Sequence, residues 1–177
     1  MIVVELRIPY SFTHDRATLS WRDMQFGLSN GFLDPQAPID KAVEEIVEHD
    51  APSPDILELA SASRSDPMAH LVARLAEVEP DCSEKDPRAV WLYLVLAWLY
   101  EHRAGNPDPL QTVEEIYSDF GYPEDIASFV RYMPAGDPDL GSCEANELRM
   151  FERWKQYLDD AARIHHVRRI RLGADPL

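Results

Sequence analysis

A chain of 177 residues with 32 acidic and 17 basic side chains carries a formal net charge of −15, and the charge is unevenly placed: residues 1–159 hold 30 acids and 13 bases, residues 160–177 two and four. A body this acidic repels nucleic-acid phosphates and anionic membrane and attracts basic proteins, and its longest apolar run, residues 89–100, is well short of the roughly 20 residues that span a bilayer. The expectation is one soluble, cytoplasmic domain whose partner is a basic protein, with neither nucleic acid nor membrane as a target.

The opening residues, Met1 to Arg7, form a brief apolar stretch that Glu5 interrupts where a signal peptide needs its apolar region. They read as a short strand or as part of an extended arm over 1–17. Ser20 followed by Asp23 is a capping box, and Asn30-Gly31 is a left-handed stop, so a helix is expected over Trp21–Ser29. Asp34-Pro35 or Pro38 opens the next helix, through Val47. Its apolar spacing predicts Ile39, Val43 and Ile46 or Val47 inside and Glu44, Glu45 and Glu48 outside.

Proline then recurs behind a residue able to cap a helix: Ser53-Pro54, Asp66-Pro67, Asp86-Pro87 and Asp108-Pro109. Proline at the first helical position loses no hydrogen bond, and the preceding side-chain oxygen accepts from an otherwise unpaired backbone N–H. These pairs and Pro123 predict helices over 54–63, 67–78, 87–103, 109–120 and 123–132. The stretch from Ala89 to Tyr100 is apolar on every face and marks a central helix surrounded by others; its length, its Leu and Ala content and the Asp-Pro start disfavour a buried strand. After a loop at 134–142, a long helix from Cys143 to Arg169 presents Leu148, Phe151, Trp154, Leu158 and Ala161 on one side, a stripe that docks on the central helix.

The fold class expected is therefore all-α: about eight helices packed as irregular antiparallel hairpins around a central apolar helix, in a single domain over 1–177. Pro54, Pro87 and Pro123 recur at similar spacing, but the sequences between them share no further pattern, which favours irregular hairpins over a solenoid. The two cysteines, Cys82 and Cys143, have no CxxC spacing and are expected as free, buried or half-buried thiols.

No motif points to catalysis or to a cofactor. Asp119-Phe120-Gly121 spells the kinase metal-binding tripeptide without its accompanying elements, so Phe120 is expected to pack, Gly121 to end a helix and Pro123 to open the next segment. Glu44/Glu45/Glu48 and Glu114/Glu115/Asp119 have no Glu-x-x-His beside them and read as solvated faces rather than metal ligands. None of the six histidines has the partner that places two imidazoles on one helix face. The basic end, Arg163 to Arg171, reads as a clamp onto the acidic body rather than a nucleic-acid contact. Tyr117, Tyr122, Arg131 and Tyr132 cluster in sequence with Glu114, Glu115, Glu124 and Asp125, and Tyr and Arg dominate interface hot spots.

Ser20-Trp21-Arg22-Asp23, the Gly27–Gly31 turn, Trp98-Leu99-Tyr100-Glu101, and above all Val113–Phe120 leading to Phe129–Pro134 make the chain resemble the bacterial domain-of-unknown-function family 2247 over most of residues 18–158. The resemblance implies gene neighbourhoods in which toxins are stored beside immunity proteins, and it assigns no catalytic residue. The expected function is an immunity protein that binds and occludes a cognate toxin domain, such as a basic nuclease, through Glu114, Glu115, Asp119, Tyr122, Arg131 and Tyr132. The alternatives are a helical scaffold or adaptor, and an enzyme assembled between helices, which a deep pocket holding carboxylates or histidines would favour.

Overall fold

A computed structural model describes residues 6–49, 51–80, 86–134 and 136–172, with side chains as far as His165. The helices are α1 (Tyr10–His14), α2 (Trp21–Ser29), α3 (Ala37–Glu48), α4 (Pro54–Ala60), α5 (Ala69–Val78), α6 (Pro87–Glu101), α7 (Pro109–Asp119) and α8 (Cys143–Leu172), with 3₁₀ segments at Arg103–Gly105 and Glu124–Phe129. The fold is all-α, as expected. Strand-like pairing among the described residues is confined to an isolated parallel bridge between Ile8 and Leu33. It ties the N-terminal segment down: Ile8 N–H donates to Phe32 O at 2.8 Å, Asp34 N–H to Ile8 O at 2.9 Å, and Ile8 is fully buried.

The helix starts follow from their caps. Ser20 Oγ accepts from Asp23 N–H at 3.1 Å while Ser20 N–H donates to Asp23 Oδ2 at 2.9 Å, a complete capping box. Ser53, Asp86 and Asp108 each accept from the first turn of the helix they open. Asp66 does not: its carboxylate accepts from Ser63 N–H at 2.7 Å and closes its own turn, so α5 begins at Ala69 with Met68 as its cap.

α6 is the centre. Its residues Val90 to Ala97 are all buried, and it packs against α2, α7 and α8, while α2 pairs with α5 and α3 with α4. Trp91 is fully buried, its indole N–H donating to Asp23 O at 2.7 Å. Phe32 bridges Trp91 and Phe120 at ring separations of 5.6 and 5.8 Å. On the far side, Trp154 of α8 stacks on Phe129 and meets Tyr100 edge-on at 5.1 Å.

Several sequence expectations are corrected. In α3, Ala37, Pro38, Ile39 and Ala42 are buried, whereas Val43 is exposed and Val47 is 82% exposed. The helix is turned so that Glu44 faces α1, where Tyr10 O–H donates to it and His14 Nδ1 lies 3.3 Å away; Glu45 is paired with Lys41 at 2.8 Å. Over 123–132 a 3₁₀ segment replaces the expected α-helix. Three residues per turn eclipses i and i+3, and that places Ile126 and Phe129 together, both fully buried. Leu148 is 61% exposed. The first turns of α8 are tied to the preceding loop by polar groups instead, with Arg149 donating to Pro138 O at 2.9 Å, and the apolar stripe begins at Met150 and Phe151. Cys143 is exposed rather than buried; Cys82 lies outside the described residues. The helices expected over 54–63 and 87–103 end at Ala60 and Glu101.

Candidate functional site

The site is built on the two ends of α7 and on the chain leaving the Glu124–Phe129 segment. At the N-terminal end, Asp108 accepts from Gln111 N–H at 3.1 Å as the helix cap and also from Arg131 Nη1 at 3.0 Å. Arg131 Nε donates to Glu114 Oε1 at 2.7 Å. One guanidinium therefore holds two carboxylates and fastens residue 131 to the first turns of α7. Hydrogen bonding to Glu114, and then to Asp108, strengthens the guanidinium's hold on its proton. The Gln111 N–H and Arg131 keep the Asp108 carboxyl below its ordinary range.

At the C-terminal end the helix closes in a Schellman motif. Gly121 N–H donates to Ser118 O at 3.1 Å, and Tyr122 N–H donates to Tyr117 O at 2.8 Å. Gly121 has φ +80°, which glycine adopts freely; Tyr122 follows at φ +61°, the left-handed region that costs an L residue roughly 1–2 kcal/mol. Two interactions offset that cost. The Tyr122 N–H satisfies an end carbonyl of α7, and its ring packs edge-on against Tyr117 at 5.3 Å, the apolar contact that commonly accompanies this motif.

Tyr132, two residues beyond the buried Val130, packs on the other tyrosine of this group, Tyr117, at 6.0 Å. Tyr117 itself is buried and its O–H donates to Met133 Sδ at 3.6 Å. Tyr122 and Tyr132 remain 59% and 55% exposed. The Tyr132 hydroxyl is pushed above its ordinary range, by loss of solvent first and then by electrostatic repulsion from its neighbours, Glu114 among them.

Of the six residues expected to form a contact surface, Tyr122 and Tyr132 therefore meet on Tyr117, and Glu114 is bonded to Arg131, the residue before Tyr132. Glu115 and Asp119 stand one turn apart from each other on another face of α7, about 100° and 140° round from Glu114 and each about 160° from Tyr117. Asp108 is the member that sequence reasoning missed. Its cap role was legible from Asp108-Pro109, but its pairing with a residue 23 positions later depends on the tertiary fold.

Elsewhere, no group of three His, Cys, Asp or Glu side chains among the described residues is placed to hold a metal ion. The surface grooves include one of about 630 Å³ lined in part by Arg22, Gln25, Phe26 and Glu77, and one of about 430 Å³ where Asp125 and Asp160 lie with Arg153 and Tyr157. Among the described residues no helix is long and apolar enough to cross a membrane. In the basic end, Arg163 pairs with Asp160 of its own helix at 2.9 Å; the side chains from His166 onward, which the clamp reading needs, lie outside the described residues.

The fork yields a pH prediction. A carboxyl held low in the folded state stabilises the fold above its unfolded value, about 3.9, and loses that contribution as pH falls through the folded value. Asp108→Asn keeps a capping oxygen and removes the charge. It is expected to cost under about 1 kcal/mol near neutrality, because the group is partly exposed. Urea midpoints of variant and parent should converge once the pH is below the folded value of Asp108; a gap that persists there would mean that the charge is not what holds Arg131.

A family model described as "Uncharacterized protein conserved in bacteria (DUF2247)" matches residues 10–162, from α1 into the second half of α8. No curated protein and no solved structure matches the chain.

Proposed function

The chain belongs to this uncharacterised bacterial family, and from that premise we propose that it is an immunity protein: it binds a toxin domain with a basic active-site groove, such as a nuclease, and blocks it by occlusion in the cytoplasm of the producing cell. The observation that carries the proposal is the pair of half-exposed tyrosines, Tyr122 and Tyr132, on a rigid acidic mount. Large aromatic side chains so exposed are interface anchors when their backbone is already fixed, because little conformational freedom is then lost on binding.

The acids supply the other half of the mechanism. A net charge of −15, to which Glu115 and Asp119 on another face of α7 contribute, draws a basic partner toward the protein. Steering of this kind raises association from about 10⁵–10⁶ M⁻¹s⁻¹ toward about 10⁸ M⁻¹s⁻¹ at low salt, while the buried aromatic contacts set how long the complex lasts. Arg131, with both sides of its guanidinium engaged by Asp108 and Glu114, acts as the brace of the mount. The test uses the toxin domain encoded beside the gene. Added in equal amount at low salt, the purified protein is expected to abolish the toxin's activity; full toxin activity in the presence of an excess would overturn the proposal.

A further inference from the structure

We infer that Tyr122 and Tyr132, both packed on the buried Tyr117, together seat one cationic side chain, a lysine or arginine of the bound partner, with Glu114 as the nearby negative charge. This deepens the proposed function and rests on it for the identity of the partner, though not for the chemistry of the seat. Three rings converge here from separate pieces of chain: the last turn of α7, the left-handed residue that closes it, and the residue after Arg131. Tyr122 and Tyr132 both pack on Tyr117, at 5.3 and 6.0 Å, and both keep more than half of their surface open to a ligand.

Charge decides what kind of group fits. The faces of phenol rings are electron-rich and attract cations. Beside them, two carboxylates share one guanidinium, so the Asp108–Arg131–Glu114 group keeps a net charge of −1. An anion would be repelled by both the ring faces and that surplus charge, and an uncharged apolar group would gain contact with the rings but nothing from the charge. The same pairing recurs within the chain, where Arg16 lies over Phe12 at 3.6 Å and Arg103 over Tyr100 at 4.0 Å.

Preorganisation favours a seat over a loose surface. Tyr122 is fixed by its backbone hydrogen bond to Tyr117 O at 2.8 Å and by its left-handed conformation. Tyr132 is flanked by Arg131, held in the fork, and by Met133, whose N–H donates to Val130 O at 3.1 Å and whose sulfur accepts from Tyr117. A non-glycine residue held in the left-handed region is the kind of backbone feature that persists when a side chain's position matters.

The test is an NMR titration of the full chain with tetramethylammonium chloride, and separately with tert-butanol as an uncharged probe of similar bulk. Tetramethylammonium is expected to shift the ring signals of Tyr117, Tyr122 and Tyr132, and tert-butanol at the same concentration to shift them far less. Tyr122→Asn, whose new side chain tolerates the left-handed backbone, and the exposed replacement Tyr132→Leu are each expected to weaken the response at least fivefold, with thermal unfolding checked for both. An equal response to the uncharged probe, no response at these rings, or full binding by both variants would overturn the inference. Because no toxin is present, the outcomes separate: cation binding without toxin inhibition leaves the seat and removes the proposed partner, and toxin inhibition without cation binding does the reverse.

Discussion

Gly27→Ala is expected to destabilise the protein by about 1–3 kcal/mol or more, although by helix propensity alone alanine is favoured in a helix by about 1 kcal/mol. A Cβ at position 27 would lie 2.1 Å from Trp91 Cζ2 and 2.7 Å from Cε2 and Cη2. The indole has nowhere to retreat. Its N–H is held by Asp23 O at 2.7 Å and its ring lies against Phe32. Position 27 also anchors the return of the chain, since Gly27 O accepts from Phe32 N–H at 2.9 Å. Either α2 moves away from α6 or Trp91 leaves its place, and each disrupts the centre of the core. Urea denaturation checks the prediction; a variant as stable as the parent would mean that α2 and α6 are not packed this closely.

The second large effect is at Trp154, where two substitutions should behave differently. Trp154→Ala removes a fully buried ring that contacts Tyr100, Phe129 and Phe151, and is expected to cost about 3–5 kcal/mol. Trp154→Phe keeps an aromatic ring there. It also removes the indole N–H, a buried donor with no hydrogen-bond acceptor among the described residues, and an unsatisfied buried group costs roughly 1–3 kcal/mol. The loss of volume and the relief of that donor oppose each other, so the phenylalanine variant should lie within about 1–2 kcal/mol of the parent. Equal losses for the two variants would show that the indole nitrogen is satisfied in solution and that the whole ring is needed.

Much of this architecture was legible because it is specified locally. The Ser20–Asp23 box and the Asp86 and Asp108 caps need only a few consecutive residues, and the structure contains each of them. α6 was legible because a stretch apolar on every side has no exposed face to offer. The expectations that failed depended on neighbours. The apolar spacing of α3 nominated Val43 and Val47, but the turn of that helix is set by Tyr10 and His14 meeting Glu44 from α1, a contact across 30 or more positions. Ile126 and Phe129 fit both an α-helical and a 3₁₀ spacing, and only their burial under α8 distinguishes the two.

The candidate site divides in the same way. Its residue types were visible as a tyrosine- and acid-rich stretch, and Gly121 as the helix stop. That Tyr122 would follow Gly121 into left-handed backbone, and so turn its ring onto Tyr117, was not, because tyrosine gives no signal for that conformation. Nor does the sequence indicate that Arg131 is occupied by two acids of α7. These tertiary contacts leave two tyrosines exposed, hold one arginine between two acids, and set Glu115 and Asp119 on another face of α7.

In the proposed function, this face binds a basic toxin domain with help from long-range attraction. The most direct measurement repeats the inhibition titration with that domain as a function of ionic strength, recording association and dissociation rates for the parent and for a Glu115→Gln, Asp119→Asn double variant that leaves the Asp108–Arg131–Glu114 fork untouched. The association rate is expected to fall steeply with salt, the variant to associate more slowly and with a shallower salt dependence, and the dissociation rate to be common to both. Affinity indifferent to salt, or association identical in parent and variant, would contradict the proposed function.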